Sequence, residues 1–439
     1  MLRLLYKIID KRGCIAGYTF ASHENKEVYI SLPDIAKNIN NIQGGYLRNG
    51  YLLISGVKAS EIPTKSLNDL NKKAVHINKN IVGYLKWEDQ EVGIIYDNTN
   101  VLFINPSLNA VVQVITQNKP SWTRNEYMDF LSDRVISKSR RDIEKILFRL
   151  GLIDYDIIKI AELTCALNPK DLFWVAPNKE MKFKEAIKGT FTNIFKNSIN
   201  EKGSTIYSPD GQNIKSYAIS NGKYGINKKR LSNLMTDAES EVAVCKLGEL
   251  FGVAVCPAWF VDKDTIFSQF VYDFSKEYLV HARRYFTAGE RTGDLYKDLI
   301  TKFPKFKKTI EQMCLIDFIT RQDDRHLSNI AITTKGSQER MYPLYDNGRS
   351  LFFDEPKEIV EQAVKDIIGY STTFGEIGTY YDVVEEIAKE ENIGSLINLN
   401  VSDFELKQAL MDSGLKDYRL EGNFKWITGA LEILRKLSR

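Results

Sequence analysis

The spacing of hydrophobic and polar positions changes along the chain, and the change divides it. Short β-branched and aromatic runs at residues 6–9, 18–20 and 28–30 are separated by turn residues such as Gly13, a pattern that predicts strands. A second β-rich stretch opens at Ala74 and runs to Trp87, with residues 78–80 expected to turn a hairpin. Gly17-Tyr18 and Gly83-Tyr84 hold similar places in the two stretches, a weak sign of duplication. Residues 60–73 are polar and contain Pro63, so they are expected to link the two.

From Thr123 the period becomes helical. Tyr127, Phe130, Leu131 and Val135, then Ile143, Ile146, Leu147 and Leu150, recur at the spacing of one helix face, ending near Gly151. Residues 183–229 return to strands and turns, and Asn221-Gly222 between two runs predicts a tight hairpin. Beyond Asp237 the pattern is mainly helical. Ser402-x-x-Glu405 has the form of a capping box, and Trp426, Ile427, Ala430, Leu431, Leu434 and Leu437 form the apolar stripe of a final helix.

Composition narrows the function classes. At 439 residues the chain has room for two to four domains, and 43% hydrophobic with 27% charged residues is globular rather than disordered. Sixty Lys and Arg against 57 Asp and Glu leave +3, which gives no basis for nucleic-acid or membrane affinity through charge. Five cysteines without a C-x-x-C pair argue against a disulfide framework and a zinc ribbon, and fit a reducing cytoplasm. The first residues lack a signal-peptide pattern and no apolar run reaches membrane-helix length, so a cytoplasmic protein is expected. His23, His76, His281 and His326 form no cluster with metal-ligand spacing, and neither a P-loop nor a Gly-x-Ser-x-Gly elbow is present.

The chemistry-bearing stretch is Phe318-Ile-Thr-Arg-Gln-Asp-Asp-Arg-His-Leu-Ser-Asn-Ile-Ala-Ile332, followed by Met341-Tyr-Pro-Leu-Tyr-Asp-Asn-Gly-Arg-Ser-Leu-Phe352. An apolar helix over residues 310–320 delivers a polar run, and an apolar triplet carries the chain away as a strand. Phosphoryl transfer from ATP needs a carboxylate to orient the attacking hydroxyl, with an amide and a second carboxylate to hold magnesium. Asp324-x-x-x-x-Asn329 has that catalytic-loop spacing, and Asp346 follows in Tyr-Asp-Asn-Gly where a metal-binding Asp is expected. The two words together are far more specific than either alone. Asp323 is expected to cap the loop or to pair with Arg325. His326 is expected to hydrogen-bond loop carbonyls rather than act as a base.

These two words resemble the HipA-like serine/threonine kinases, the toxin components of bacterial toxin–antitoxin pairs. The resemblance implies an α+β, bilobal kinase-like fold, with a β-rich N-lobe and a mostly helical C-lobe, preceded by small β-rich subdomains. The implied division is 1–70, an accessory subdomain; 71–118, a small β subdomain; 119–272, the N-lobe; and 273–439, the C-lobe. Ser208-Pro-Asp-Gly-Gln-Asn-Ile-Lys215 is similar to the family's nucleotide loop, with Asn213 in place of the usual Gln. It assigns Ser208, Gly211 and Lys215 to the nucleotide and makes Ser208 an autophosphorylation position, with Ser204 and Thr205 as alternatives. Residues 222–228 resemble the strand bearing the ATP lysine. Lys228 is preferred there because alternation puts it on the face of Ile226 and Tyr224, while Lys223 and Lys229 stay open. Glu241, opening Glu-Val-Ala-Val-Cys-Lys-Leu, matches the helix whose Glu pairs with that lysine; an exposed first-turn Glu is the plainer alternative. The strand at residues 266–273 would supply main-chain groups near Gln269 and Val271 to adenine.

The implied cofactors are ATP and Mg2+, and the implied acceptor is a protein, a translation factor or tRNA synthetase by family. A small helix-turn-helix antitoxin would be the partner, with DNA contact only through it and no membrane contact. Two other functions remain open: a phosphoinositide or small-molecule kinase, and a catalytically silent regulator on a kinase scaffold.

Overall fold

The first apolar runs form strands: β1 (Arg3–Ile9), β2 (Ile15–Ala21) and β3 (Glu27–Ser31) pair antiparallel in sequence order. Ile8 and Phe20 are fully buried beneath them. β4 (Gly45–Arg48) and β5 (Tyr51–Ile54) form a separate hairpin. The expected linker contains a strand, β6 (Thr64–Ser66), which pairs parallel with β1. Strand pairing there uses main-chain groups, which a polar side-chain pattern does not reveal. The computed structural model describes residues 3–9, 15–21, 27–31, 42–43, 45–48, 51–54, 62, 64–66, 80–186, 214–273, 276–287 and 289–438.

The expected turn at residues 78–80 lies mostly outside the described residues; the hairpin seen nearby turns at Glu88-Asp89. It joins β7 (Ile81–Trp87) to β8 (Gln90–Tyr96), in a sheet with β9 (Val101–Phe103), β10 (Ser121–Trp122) and β11 (Phe173–Ala176). The helical period from Thr123 appears as α2 (Arg124–Ser132) and α3 (Ile143–Arg149), after α1 (Ala110–Thr116) and before α4 (Ile157–Thr164). Thr123 and Glu126 cap α2 reciprocally. A short α5 (Phe183–Ala186) follows. The chain divides into two units, Met1–Val82 with Ile95–Val101 and Gly83–Ile94 with Leu102–Arg439. The candidate site lies wholly in the second.

Within that second unit, β12 (Lys215–Ser220), β13 (Lys223–Lys229), β14 (Ala258–Phe260) and β15 (Thr265–Gln269) form an antiparallel sheet of order β12-β13-β15-β14. Asn221 and Gly222 both adopt left-handed φ, 49° and 72°, as a two-residue hairpin turn of the predicted kind requires. α6 (Asp237–Phe251) packs Val242 and Cys245 against Ala258 and Ile266. β16 (Tyr278–His281), β17 (Ala331–Lys335) and β18 (Gln338–Met341) form a separate three-stranded sheet.

The remainder is helical: α7 (Leu295–Lys302), α8 (Lys307–Ile319), α9 (Lys357–Ala363), α10 (Tyr380–Glu390), α11 (Ile393–Leu396), α12 (Asp403–Met411) and α13 (Asp417–Leu437). The Ser402/Glu405 capping box opens α12 as predicted. Trp426, Ile427, Ala430, Leu431 and Leu434 of α13 are fully buried against Leu315, Ile316 and Ile319 of α8 within one core. Burying each such large side chain contributes about 1.5–3 kcal/mol, so this core is the rigid base from which α8 presents the loop that follows. A strand-rich half and a helical half give an α+β fold.

Candidate active site

The hairpin turn sets the position of two lysines. Ser220 pairs with Lys223 across the turn, so five residues down each strand Lys215 faces Lys228. Both are buried, whereas Lys223 and Lys229 are exposed. Lys228 Nζ lies 2.8 Å from Glu241 Oε1 and 3.0 Å from Asp346 Oδ1, and Lys215 Nζ lies 3.6 Å from Asp346 Oδ2. Glu241 is only 3% exposed, so it is an inward-facing partner of Lys228 rather than a solvated first-turn Glu. Burial by itself would favour neutral Lys228, but Asp346 and Glu241 outweigh it and push its pKa up. Burial likewise opposes the Asp346 carboxylate, yet Lys215 and Lys228 hold its pKa well below the usual range. Asp346 itself adopts φ of 57°, an uncommon backbone conformation for a non-glycine residue.

The loop after α8 is fixed by side chains reaching into the interior. Gln322 is fully buried, and its Oε1 accepts the main-chain N–H of Asp323 and Asp324 at 3.0 and 2.9 Å. Asp324 Oδ1 stands 3.6 Å from Arg349. Asn329 Nδ2 donates to the main-chain oxygen of Asp324 at 2.8 Å, which ties the two ends of the D-x4-N word together. Arg325 does not pair with Asp323. It is 5% exposed and points inward, where Asp317 of α8 offers both carboxylate oxygens at 2.9 Å. His326 also departs from expectation: its exposed ring accepts the N–H of Ser328 through Nδ1 at 3.2 Å, bonding a loop amide instead of a carbonyl.

These groups open onto a cavity of about 440 Å³. Lys215, Lys228, Asp324, Asn329 and Asp346 line its polar part, and Tyr217, Ile226, Phe270, Tyr272, Leu279 and Tyr342 line its apolar part. Strand parity explains the first wall, because Ile226 faces Tyr217 on β12 and Ser268 on β15, all directed to one side. Gln269 lines the cavity, while its N–H is taken by Pro257 O at 2.8 Å. Val271 does not line it: its N–H donates to Tyr342 Oη at 3.1 Å and its carbonyl accepts from Arg340 at 3.0 Å. Ser208 and Gly211 lie outside the described residues.

Sequence reasoning passed over several groups on this wall. Lys170 and His281 line it, as do Tyr345 and Arg349. His281 belongs to no cluster with metal-ligand spacing in the sequence; in the fold its neighbours are a lysine and a tyrosine, which such spacing does not seek. Gln322 sits just before the acidic pair, and only its burial distinguishes it from a loop amide. Among the described residues no group of His, Cys, Asp and Glu has the makings of a metal cluster, and Cys165, Cys245, Cys256 and Cys314 are free thiols. No helix among them is long and apolar enough to cross a membrane.

A strand-rich half carrying a buried Lys–Glu pair, a helical half carrying the polar loop, and a cavity lined by both define a two-lobed, kinase-like α+β protein. No family model matches the chain and no curated protein matches it. Among solved structures it is similar to the Helicobacter pylori proinflammatory kinase CtkA, at 12% identity and a TM-score of 0.44, over 54% of this chain and 95% of that one. It is also similar to the HipA of Shewanella oneidensis MR-1, solved with HipB and operator DNA, at 12% identity and a TM-score of 0.44, over 81% of this chain and 99% of that one.

Proposed function

We propose that the chain is a protein serine/threonine kinase that uses Mg-ATP. The observation that supports it most is Lys228, held between Glu241 and Asp346 on the wall of a cavity that Asp324 and Asn329 also line. Glu241 fixes the lysine's rotamer, and Lys228 and Lys215 meet phosphate charge as point cations. Asp324 orients the acceptor hydroxyl and receives its proton. Asp346 and Asn329 offer hard oxygen donors of the kind magnesium takes, and Asn329 has its Nδ2 committed to Asp324, which turns the amide oxygen to that task. Bound magnesium would supply charge neutralisation at the phosphates. The apolar part of the cavity suits a nucleobase, with Gln269 on its wall. Ser208 and Gly211 are proposed to complete the nucleotide loop, with Ser208 as a site of autophosphorylation.

The sequence resemblance extends the proposal to a cytoplasmic toxin with a small helix-turn-helix antitoxin. The test is incubation of purified protein with labelled ATP and magnesium, beside Asp324→Ala and Asp346→Ala, followed by phosphosite mapping. Incorporation that both substitutions abolish, mapping near Ser208, is the expected result. No incorporation together with no ATP-dependent rise in melting temperature would overturn it in favour of a silent regulator.

A further inference from the structure

The residues just before Asn329 and Asp346 are joined by a hydrogen bond. Tyr345 Oη donates to the carbonyl of Ser328 at 2.8 Å. The same hydroxyl lies 2.9 Å from His281 Nδ1, and His281 Nε2 lies 2.8 Å from Lys170 Nζ. The donors and acceptors allow one arrangement. An ammonium only donates, so Nε2 accepts; the tyrosyl proton is committed to Ser328, so the hydroxyl must receive Nδ1–H. His281 is therefore a neutral imidazole of defined tautomer. Burial, followed by the Lys170 charge, pushes its pKa down, in agreement with that assignment.

Both ends of the chain are anchored. On one side, Leu279 N–H donates to Lys170 O at 2.9 Å and Tyr272 Oη donates to Pro169 O at 3.2 Å, holding the 169–170 turn to the cavity wall. On the other, Arg325 Nη1 donates to the carbonyls of Tyr345 and Asn329 at 2.8 and 3.3 Å. Tyr345 and Arg325 thus clasp the same two segments at different points. Arg325 is held by Asp317, while Tyr345 is held through His281 by a residue far upstream.

We propose that Lys170, His281 and Tyr345 are positioning residues that set the separation between Asn329 and Asp346. All three line the same cavity, and the role assigned to them is to act on Asn329 and Asp346, each through the next, rather than on the transferred group. The inference rests on the kinase reading insofar as Asn329 and Asp346 are taken as the metal-holding pair.

The test compares the full-length protein with Tyr345→Phe, His281→Phe and His281→Asn. With phosphate transfer as readout, Tyr345→Phe and His281→Phe should raise the magnesium concentration for half-maximal rate about fivefold to tenfold, the scale of one lost hydrogen bond, with kcat less affected. His281→Asn, whose amide N–H replaces Nδ1–H, should recover most of that loss. Equal behaviour of His281→Asn and His281→Phe, or unchanged magnesium dependence in Tyr345→Phe, would overturn the proposal. Two measurements do not depend on activity. Imidazole 15N spectra of the wild type should show the neutral Nδ1–H form, and the opposite tautomer sinks the chain of bonds. Amide exchange in Tyr345→Phe should accelerate at residues 325–329 and 345–348 only; no change, or a uniform rise across the protein, counts against it. A wild type that transfers no phosphate but passes both tests defeats the kinase reading and leaves the clasp intact.

Discussion

Lys215 and Lys228 stand directly opposite each other in the β12–β13 hairpin, and both ammonium groups converge on the Asp346 carboxylate. Like charges facing across a ladder normally destabilise it, so this pair requires carboxylates from outside the sheet. Asp346 and Glu241 supply them, from the loop and from α6. The arrangement assembles only when the two halves of the site are folded together, and under the proposed function its cations would meet the phosphate charge of the nucleotide.

Removing one member should expose that dependence. Lys228→Met leaves Glu241 buried without its partner and is expected to cost about 3–5 kcal/mol of stability. Lys228→Met combined with Glu241→Met should recover a large part of the loss, since neither charge then remains buried. Urea unfolding of the two singles and the double closes the cycle; additive losses would show that the pair does not interact. Phosphate transfer should be lost in all three.

Arg325 makes a different kind of contact, a planar fork on Asp317 with further bonds to Asn347 and two carbonyls. Arg325→Lys keeps the charge and loses the fork. It should therefore be nearly as damaging as Arg325→Met, at roughly 3 kcal/mol or more, and thermal denaturation will decide. Full stability in Arg325→Lys would mean that charge alone holds the loop.

Two glycines of the hairpin should respond for opposite reasons. A Cβ on Gly225 would fall 2.3 Å from Ser268 O and 2.5 Å from the Phe267 ring, so Gly225→Ala must displace the neighbouring strand. A loss of about 2 kcal/mol or more is expected. Gly222 has open space but φ of 72°, so Gly222→Ala should cost only about 1–2 kcal/mol through backbone strain. Melting temperatures of the two variants, measured together, should rank in that order.

Asp237 opens α6 and is 5% exposed, and burial raises its carboxyl from the ordinary 3.8 to about 6 despite hydrogen bonds from Leu231 N–H. The fold binds this proton more tightly than the unfolded chain does. Its stabilising contribution is therefore complete below pH 4 and fades as pH rises through 6. Asp237→Asn does not titrate and should gain on the wild type by about 2 kcal/mol between pH 4 and pH 7 in chemical denaturation. A stability difference independent of pH would contradict the shift.

Much of this site is local enough to be written in the chain. The left-handed Asn221-Gly222 turn places the strand register and hence Lys215 opposite Lys228, by counting along two extended strands. The Asp324-x4-Asn329 word closes on itself through one amide, and Ser402 and Glu405 cap their helix through bonds within one turn. The apolar stripe of α13 follows from helical period alone. Such features depend on neighbours a few residues apart, whose separation the backbone geometry dictates.

Tertiary structure decided the pairings that span long stretches of chain. Asp346 could reach a lysine only after β13 and the loop were brought together across 118 residues, and the preference for Lys228 over Lys229 became a matter of burial. Arg325 turned from Asp323, two residues away, to Asp317, because a buried guanidinium takes the partner that fills its fork in the interior. β6 paired with β1 from within an expected linker, and His281 found Lys170 and Tyr345, through groups that carry no periodic signature. Sequence pattern determines which face of each element is apolar; which polar groups meet depends on how those faces pack.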